Sequence, residues 1–110
     1  MPKAKYHSKL TEMRKRGRTD ENQTEIVNVL RRAGAGVLIT SMLGDGAVDI
    51  IAGYRGVNYM MEIKDGKKPP SQRTLTPDEA RFHEKWPGQI CVVNSAEEAL
   101  KAIGAWKPND

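Results

Sequence analysis

Residues 48–64, VDIIAGYRGVNYMMEIK, decide the fold of this 110-residue chain. The two halves of this stretch consist mostly of apolar and β-branched residues, which are typical of β-strands. Between them lies Arg55-Gly56, and a two-residue connection is the commonest turn of a β-hairpin because its twist matches that of the strands. The stretch therefore predicts an antiparallel hairpin in which Tyr54 pairs with Val57.

This register brings three charged side chains to one face of the hairpin. Asp49 is expected directly opposite Glu62, with the two Cβ atoms ~5 Å apart. Lys64 lies two residues beyond Glu62 and therefore points to the same face. The neighbouring apolar residues alternate to the other face and are predicted to supply the core: Ile50, Met61 and Ile63.

An acidic pair on an otherwise apolar hairpin has two interpretations. Like charges directly opposite each other destabilise a sheet, so a hard divalent cation with oxygen ligands would hold Asp49 and Glu62 together. Alternatively, both carboxylates face solvent and Lys64 is simply their ion-pair partner. A slip of one residue in the register would also separate the two acids. The pattern alone leaves these interpretations open.

The segments around the hairpin predict further helices and strands. The predicted elements are a helix over 20–33, strands over 36–42, 48–53 and 57–64, a loop over 65–74, a helix over 77–86, a buried strand over 89–94 and a helix over 95–103. The order α-β-β-β-α-β-α predicts an α/β domain around one mixed sheet.

Two capping boxes mark the starts of the later helices. Thr76 is followed by Glu79, and Ser95 is followed by Glu98, in each case at the spacing that lets two side chains satisfy the free amides of a first helical turn. His83 is expected on an exposed surface of the first of these helices.

Composition excludes several classes of protein. A single cysteine, Cys91, cannot form an internal disulfide, and two histidines with one cysteine cannot complete a structural zinc site. No apolar run approaches the ~20 residues that cross a bilayer. The basic N-terminus has no apolar segment of the kind found in a signal peptide, so a cytoplasmic location, or the host-cell interior for a phage protein, is expected.

The formal net charge of +4 is concentrated at the start of the chain. Residues 1–19 are predicted to form a flexible arm ahead of a domain over 20–110, and such basic segments attract nucleic-acid phosphates by counterion release. A solvated tail that only aids solubility is the alternative interpretation. The DNA-binding candidates in the arm and in the 65–74 loop are Lys3, Lys5, Lys9, Arg14, Lys15, Arg16, Arg18, Lys67, Lys68 and Arg73.

Two sets of residues resemble a known family. The segment 46–49, GAVD, followed after twelve residues by 62–64, EIK, resembles the D…ExK signature of the PD-(D/E)XK nucleases. The segments 75–83, LTPDEARFH, and 92–98, VVNSAEE, are similar to the corresponding helix opening, Val-Val strand and acidic helix of the VRR-NUC branch. The resemblance covers about residues 20–100.

The resemblance implies a restriction-endonuclease-like core and a role for each motif residue. Asp49 and Glu62 would bind Mg²⁺ or Mn²⁺ together with the backbone carbonyl of Ile63. Lys64 would orient or deprotonate the attacking water and stabilise the phosphate under attack. Glu25 corresponds to an acid that many resolvase-like members place on the first helix, and is a tentative further metal ligand.

The chain departs from the family pattern at two positions. Val48 stands where a proline is expected before the motif aspartate, and this changes no ligand. Glu79 stands where a glutamine is expected. Because Glu79 is also the acid of a capping box, the sequence leaves open whether it contacts the metal site.

The resemblance implies a stand-alone, phage-type endonuclease similar to Holliday-junction resolvases. One domain of this size has one active site, so paired cuts across four-way or otherwise branched DNA would require a homodimer. Two alternatives remain. One is a sequence-specific restriction-type endonuclease, although the chain has little room for a separate base-reading domain. The other is a non-catalytic DNA-binding module with a degenerate nuclease site.

Overall fold

A computed structural model describes residues 21–108 of the chain. The elements are α1 (Glu21–Arg32), β1 (Gly36–Ile39), β2 (Ile50–Tyr54), β3 (Val57–Ile63), a 3-10 turn (Pro70–Gln72), α2 (Pro77–Lys85), β4 (Cys91–Val93) and α3 (Ala96–Ile103). The predicted arm over 1–19 lies outside the described residues.

The four strands form one mixed sheet in the order β1-β2-β3-β4. The first three strands are antiparallel to their neighbours, and β4 runs parallel to β3, so a crossover containing α2 connects them. The predicted α/β order and the mixed sheet are confirmed.

The hairpin forms with the predicted turn. Tyr54 pairs with Val57, and Arg55 and Gly56 have φ angles of 50° and 82°. Positive φ at both central residues is characteristic of the turn type that matches the twist of a hairpin. The ladder, however, ends at the pair Ile50–Met61, one position before the predicted pair of Asp49 with Glu62.

The ladder between β2 and β3 stops at Asp49 because the Asp49 amide bonds to Met61, one position away from the Glu62 partner that the register predicts. The amide of Asp49 donates to the carbonyl of Met61 at 3.1 Å, and its carbonyl accepts from the amide of Thr40 at 2.8 Å. The prediction that Asp49 pairs with Glu62 as a regular cross-strand pair is therefore wrong in detail, although the two residues remain neighbours at the end of the hairpin.

The core lies between the sheet and the helices α1 and α3. Ile26 and Leu30, one turn apart on α1, are fully buried, as are Ile50 and Met61 on the hairpin. Ile103 from α3 completes this cluster. The helical spacing on α1 and the alternation on the strands therefore direct one face of each element inward, as predicted.

The predicted strands β1 and β4 are longer than the observed ones. The chain turns after Ile39 instead of continuing to 42, and β4 contains only 91–93. The prediction that β4 is buried is also wrong, since Val92 is 37% exposed and Cys91 is half-buried. Both strands lie at edges of the sheet, where one side lacks a covering strand. None of the helices within residues 21–108 meets the length and hydropathy needed to cross a membrane.

Gly46 holds the loop before β2 against the start of α2. It has a φ of +77°, and an added Cβ would lie 2.6 Å from the carbonyl carbon of Asp78 and 3.0 Å from the nitrogen of Glu79. Real Cβ atoms essentially never lie 2.6 Å from a carbonyl carbon, and 3.0 Å is tight enough to force the neighbour to shift. The loop and the first turn of α2 can approach this closely only because residue 46 is glycine.

We expect Gly46→Ala to destabilise the fold by about 1–3 kcal/mol, because a strained φ and a steric clash act together. Gly44→Ala is the matched control, since Gly44 has a φ of +80° and an added Cβ there would meet nothing within 4 Å. Chemical denaturation of both variants separates the two effects, because both variants carry the strained φ but only Gly46→Ala carries the steric clash. Equal losses of stability would show that the contact with α2 contributes nothing.

Candidate active site

The residues of the predicted motif meet where β2 begins and β3 ends. Asp49 immediately precedes β2, Glu62 and Ile63 end β3, and Lys64 follows directly. Oδ2 of Asp49 accepts a hydrogen bond from the backbone amide of Ile63 at 2.7 Å. This bond ties the aspartate to the opposite strand in place of the missing ladder pair.

Glu62 is a buried carboxylate that lacks full compensation. The residue is 2% exposed, and its Oε1 atom has no hydrogen-bond partner among the described residues. Its Oε2 atom lies 3.6 Å from Nζ of Lys64. The interpretation of a solvated hairpin face therefore does not fit Glu62, since a buried carboxylate is costly unless a positive group compensates it.

Glu79 contributes to both the helix start and the site. Its Oε1 atom accepts from the backbone amide of Thr76 at 2.9 Å, which completes the predicted capping box of α2. The same oxygen accepts from Nζ of Lys64 at 2.8 Å. The two roles that the sequence left open for this residue are therefore compatible, because one atom makes both contacts.

Electrostatics in the cluster raise the pKa values of both Glu62 and Asp49. Burial and the nearby Asp49 and Glu79 carboxylates raise the pKa of Glu62 to about 9. Burial also raises the pKa of Asp49 above its ordinary value, more than the hydrogen bond from Ile63 lowers it. Without a cation between them, the two carboxyls cannot both ionise cheaply.

The Lys64–Glu79 contact is an ion pair. Burial opposes the charge of the lysine, but the hydrogen bond and the attraction of Glu79 outweigh it, so the pKa of Lys64 is raised. Burial likewise opposes ionisation of Glu79, yet hydrogen bonds from Lys64 and Thr76 lower its pKa. Lys64 is therefore held as an ammonium beside Glu62.

Asn22 fixes the backbone of Lys64, and sequence reasoning missed it. Its Nδ2 atom donates to the carbonyl of Lys64 at 2.7 Å and to the carbonyl of Asn94 at 3.3 Å. The side chain thus joins α1 to the segments that follow β3 and β4. An asparagine in the first turn of a helix carries no signal of such a contact, because the partners lie 42 and 72 residues away.

We expect Asn22→Ala to lower the cleavage rate about tenfold or more with little change in DNA affinity, since small displacements of a catalytic group are costly. Asn28→Ala is the matched control, because Asn28 is exposed on the same helix. Single-turnover rates measured beside binding constants test this. Equal rates in the two variants would show that Asn22 does not position Lys64.

The structure does not bring Glu25 into this cluster. Glu25 is exposed and lines a groove together with Asp65 and Lys67, and neither Asp49 nor Glu62 lines that groove. Its tentative assignment as a metal ligand therefore gains no geometric support.

The other predicted contact residues lie on or near the surface. Lys67 and Lys68 are exposed, whereas Arg73 is half-buried and its Nε atom donates to the carbonyl of Lys68 at 2.7 Å. His83 is half-buried, and its buried Nε2 atom has no hydrogen-bond partner among the described residues, so the prediction of an exposed histidine is wrong. The seven basic candidates before residue 20 lie outside the described part of the chain.

The carboxylate oxygens at this site suit a hard cation that keeps part of its hydration shell. Across residues 21–108, no group of three or more histidine, cysteine, aspartate or glutamate side chains is arranged to hold a metal ion. Mg²⁺ in phosphate-processing sites is usually bound by one or two carboxylates, with water and phosphate oxygens as the other ligands. Asp49 and Glu62 match that requirement, and the unpartnered Oε1 atom of Glu62 is the kind of oxygen that such an ion binds.

Comparisons with known proteins support one relationship. A scan against protein-family models and a comparison with curated proteins both find no match. A solved structure titled "VRR_NUC domain" superposes with a TM-score of 0.53 and 25% sequence identity, over 77% of this chain and 92% of that chain. The order of helices and strands around the mixed sheet is therefore similar to that of the VRR_NUC domain, a branch of the PD-(D/E)XK nucleases, as the sequence resemblance predicted.

Proposed function

We propose that this protein is a divalent-metal-dependent endonuclease that hydrolyses DNA phosphodiester bonds. The observation that carries the proposal is the half-buried Asp49 and the buried Glu62 beside the ammonium of Lys64. Two carboxyls this close cannot both ionise without reducing stability unless a cation binds them. Metal binding explains why such a cluster is present, whereas a contribution to the stability of the fold does not.

In this proposal, Asp49, Glu62 and the backbone carbonyl of Ile63 bind Mg²⁺ or Mn²⁺. When bound, the ion supplies Lewis acidity, which lowers the pKa of a water molecule and offsets negative charge on the phosphate. The Ile63 amide keeps Asp49 in place through the 2.7 Å hydrogen bond, so the aspartate needs little reorganisation to act as a ligand.

Lys64 acts as a charged hydrogen-bond donor in this proposal. Its ammonium orients the attacking water and stabilises the charge that develops on the phosphate oxygens. Glu79 positions the lysine at 2.8 Å, and its place in the capping box restrains the carboxylate in turn. Glu79 is thus a positioning residue that reaches the reaction through Lys64.

The basic residues supply affinity for DNA. Lys67 and Lys68 are exposed on the loop that follows the site, so phosphates of a bound strand can reach them. The arm over 1–19 adds seven basic residues against one acid. Such contacts act on any sequence, because they release counterions from the backbone.

Deleting residues 1–18 should weaken DNA binding more at low salt than at high salt. Affinity for duplex DNA falls with salt at a logarithmic slope of about −0.9 per neutralised phosphate, so losing several cations flattens the slope. Fluorescence anisotropy over a range of salt concentrations measures it. An unchanged slope in the shortened protein would make the arm a solubilising tail.

We further propose that the substrate is branched or four-way DNA and that the enzyme acts as a homodimer in the cytoplasm. One chain carries one cluster, so two coordinated cuts need two copies. Light scattering with and without a junction tests the dimer, and it does so independently of activity.

The test of the proposed activity is a cleavage assay on plasmid, flap and four-way junction DNA with Mg²⁺, Mn²⁺ or EDTA. The proposal predicts products with either metal ion and none with EDTA. Binding without cleavage of any substrate would favour the alternative of a non-catalytic DNA-binding module. Cleavage confined to one duplex sequence would favour a restriction-type endonuclease.

A further inference from the structure

The second half of α2 presents an exposed aromatic surface. The rings of Phe82 and Trp86 stack with centroids 5.3 Å apart and planes 11° apart, and Trp86 is 41% exposed. Phe82 supports one face of the indole, so the tryptophan is held in place while much of its surface remains open to solvent. A rigid, exposed aromatic ring is well suited to stacking.

A cavity of about 420 Å³ lies beside these rings. Its lining residues are Asp45, Asp78, Arg81, Phe82, Lys85 and Trp86. The charges of the two acidic and two basic side chains in this lining cancel, and Asp78 forms an ion pair with Arg81. The cavity is therefore not a phosphate site. It fits an uncharged, flat ligand whose polar edge carries both hydrogen-bond donors and acceptors.

The cavity is connected to the proposed active site through α2. Phe82 and Trp86 follow Glu79 by three and seven residues, which places them along one side of the helix. At 1.5 Å per residue, Trp86 lies about 10 Å from Glu79 along the axis. Glu79 contacts Lys64 at 2.8 Å, so a ligand at Trp86 lies within a few nucleotides of the reacting phosphate.

We propose that Phe82 and Trp86 form a subsite for an unpaired nucleobase of the strand that is cut. This inference rests on the proposed nuclease function and deepens it. A base inside a duplex is already stacked on both faces, whereas a base at a flap, a branch or a junction is free to stack on the indole. Asp45 and Lys85 at the rim match the amino and carbonyl groups of a base edge.

The fluorescence of Trp86 tests the contact directly. The chain has two tryptophans, so the Trp106→Phe variant of the full chain reports on Trp86 alone. It is titrated in EDTA with a blunt duplex and with the same duplex ending in three unpaired nucleotides. We expect marked quenching by the tailed duplex and little by the blunt one. Equal responses to the two duplexes would overturn the proposal.

Affinity provides the second readout. Stacking on one aromatic side chain contributes enough that Trp86→Ala should weaken binding of the tailed duplex about 5- to 100-fold and leave the blunt duplex unaffected. Trp86→Phe should retain most of the affinity. Trp106→Ala is the matched control, because Trp106 is 38% exposed and lies outside this cavity. Equal weakening of both duplexes by Trp86→Ala would contradict a base subsite.

These measurements are independent of cleavage. If the wild-type protein cuts no DNA but the tailed duplex still quenches Trp86, the proposed activity fails and the subsite remains. If the protein cuts DNA while Trp86 does not respond and its variants bind normally, the subsite fails and the nuclease remains.

Discussion

Lys64→Ala should abolish cleavage while the protein stays folded and binds DNA. The ammonium lies 2.8 Å from Glu79 and 3.6 Å from Glu62, at the centre of the proposed site and outside the apolar core. Loss of a group that orients the water and stabilises the phosphate should reduce the rate ~10²–10⁴-fold. Single-turnover cleavage, binding anisotropy and circular dichroism measure the three properties separately.

The matched control is Lys68→Ala, which removes an exposed cation from the neighbouring loop. That variant should bind DNA somewhat more weakly and cut at nearly the normal rate once bound, because a backbone contact affects affinity alone. A rate for Lys64→Ala within a fewfold of the wild-type rate would remove the lysine from the mechanism. If Lys68→Ala lost as much of the cleavage rate as Lys64→Ala, the loss of a positive charge, and not the position of Lys64, would be the cause.

Glu62→Gln should stabilise the metal-free protein and make it insensitive to metal. The substitution removes the cost of keeping a buried carboxyl protonated above its ordinary pKa, which is worth about 1–3 kcal/mol at neutral pH. In the wild type, Mg²⁺ at millimolar concentration should add on the order of 1 kcal/mol by linkage. Ca²⁺ should stabilise the fold as well but support little cleavage, because its looser geometry positions water poorly.

The pH dependence of stability in EDTA follows from the same carboxyl. The pKa of Glu62 is about 9 in the folded chain, against an ordinary value of 4.5 for a glutamate. The stabilisation that the protonated Glu62 carboxyl contributes to folding is therefore fully present below pH 4.5. It is lost as the pH rises through the folded pKa, because unfolding between the two pKa values releases a proton. The free energy of unfolding should fall with pH in the wild type, and less steeply in Glu62→Gln.

Melting curves in EDTA, Mg²⁺ and Ca²⁺ test this set of expectations. Glu84→Gln is the matched control, since Glu84 is exposed on α2 and its loss should change neither the metal-free stability nor the metal-induced shift. A full metal-induced shift in Glu62→Gln would mean that the ion binds elsewhere.

Local patterns were sufficient to predict the fold. The two-residue turn at Arg55-Gly56 sets the pairing of the strands, and the capping box at Thr76 and the N-cap at Ser95 set the starts of two helices. The predicted second box is incomplete, because the side chain of Glu98 accepts from the amide of Asn94 and not from that of Ser95. Each of these signals depends on residues within four positions of one another. Strand ends were less predictable, because the chain after Ile39 turns where its own apolar residues would allow a strand to continue.

The structure brings Asp49, Glu62 and Lys64 together, as the motif spacing predicts, but their detailed geometry was less predictable. The departure of Asp49 from the ladder is accompanied by a hydrogen bond from the amide of Ile63 to its side chain, which a pairing rule does not contain. The burial of Glu62 and the contact of Asn22 with Lys64 arise from elements far apart in the chain. Such contacts are products of tertiary packing.

The central claim is that Asp49 and Glu62 bind the ion with which the phosphodiester is hydrolysed. Electron paramagnetic resonance of Mn²⁺ titrated into the full-length wild type, Glu62→Gln and Glu84→Gln tests it most directly. The account predicts bound Mn²⁺ in the wild type and in Glu84→Gln, and an affinity at least tenfold weaker in Glu62→Gln, since one of two carboxylate ligands is lost. Unchanged Mn²⁺ binding in Glu62→Gln would contradict it.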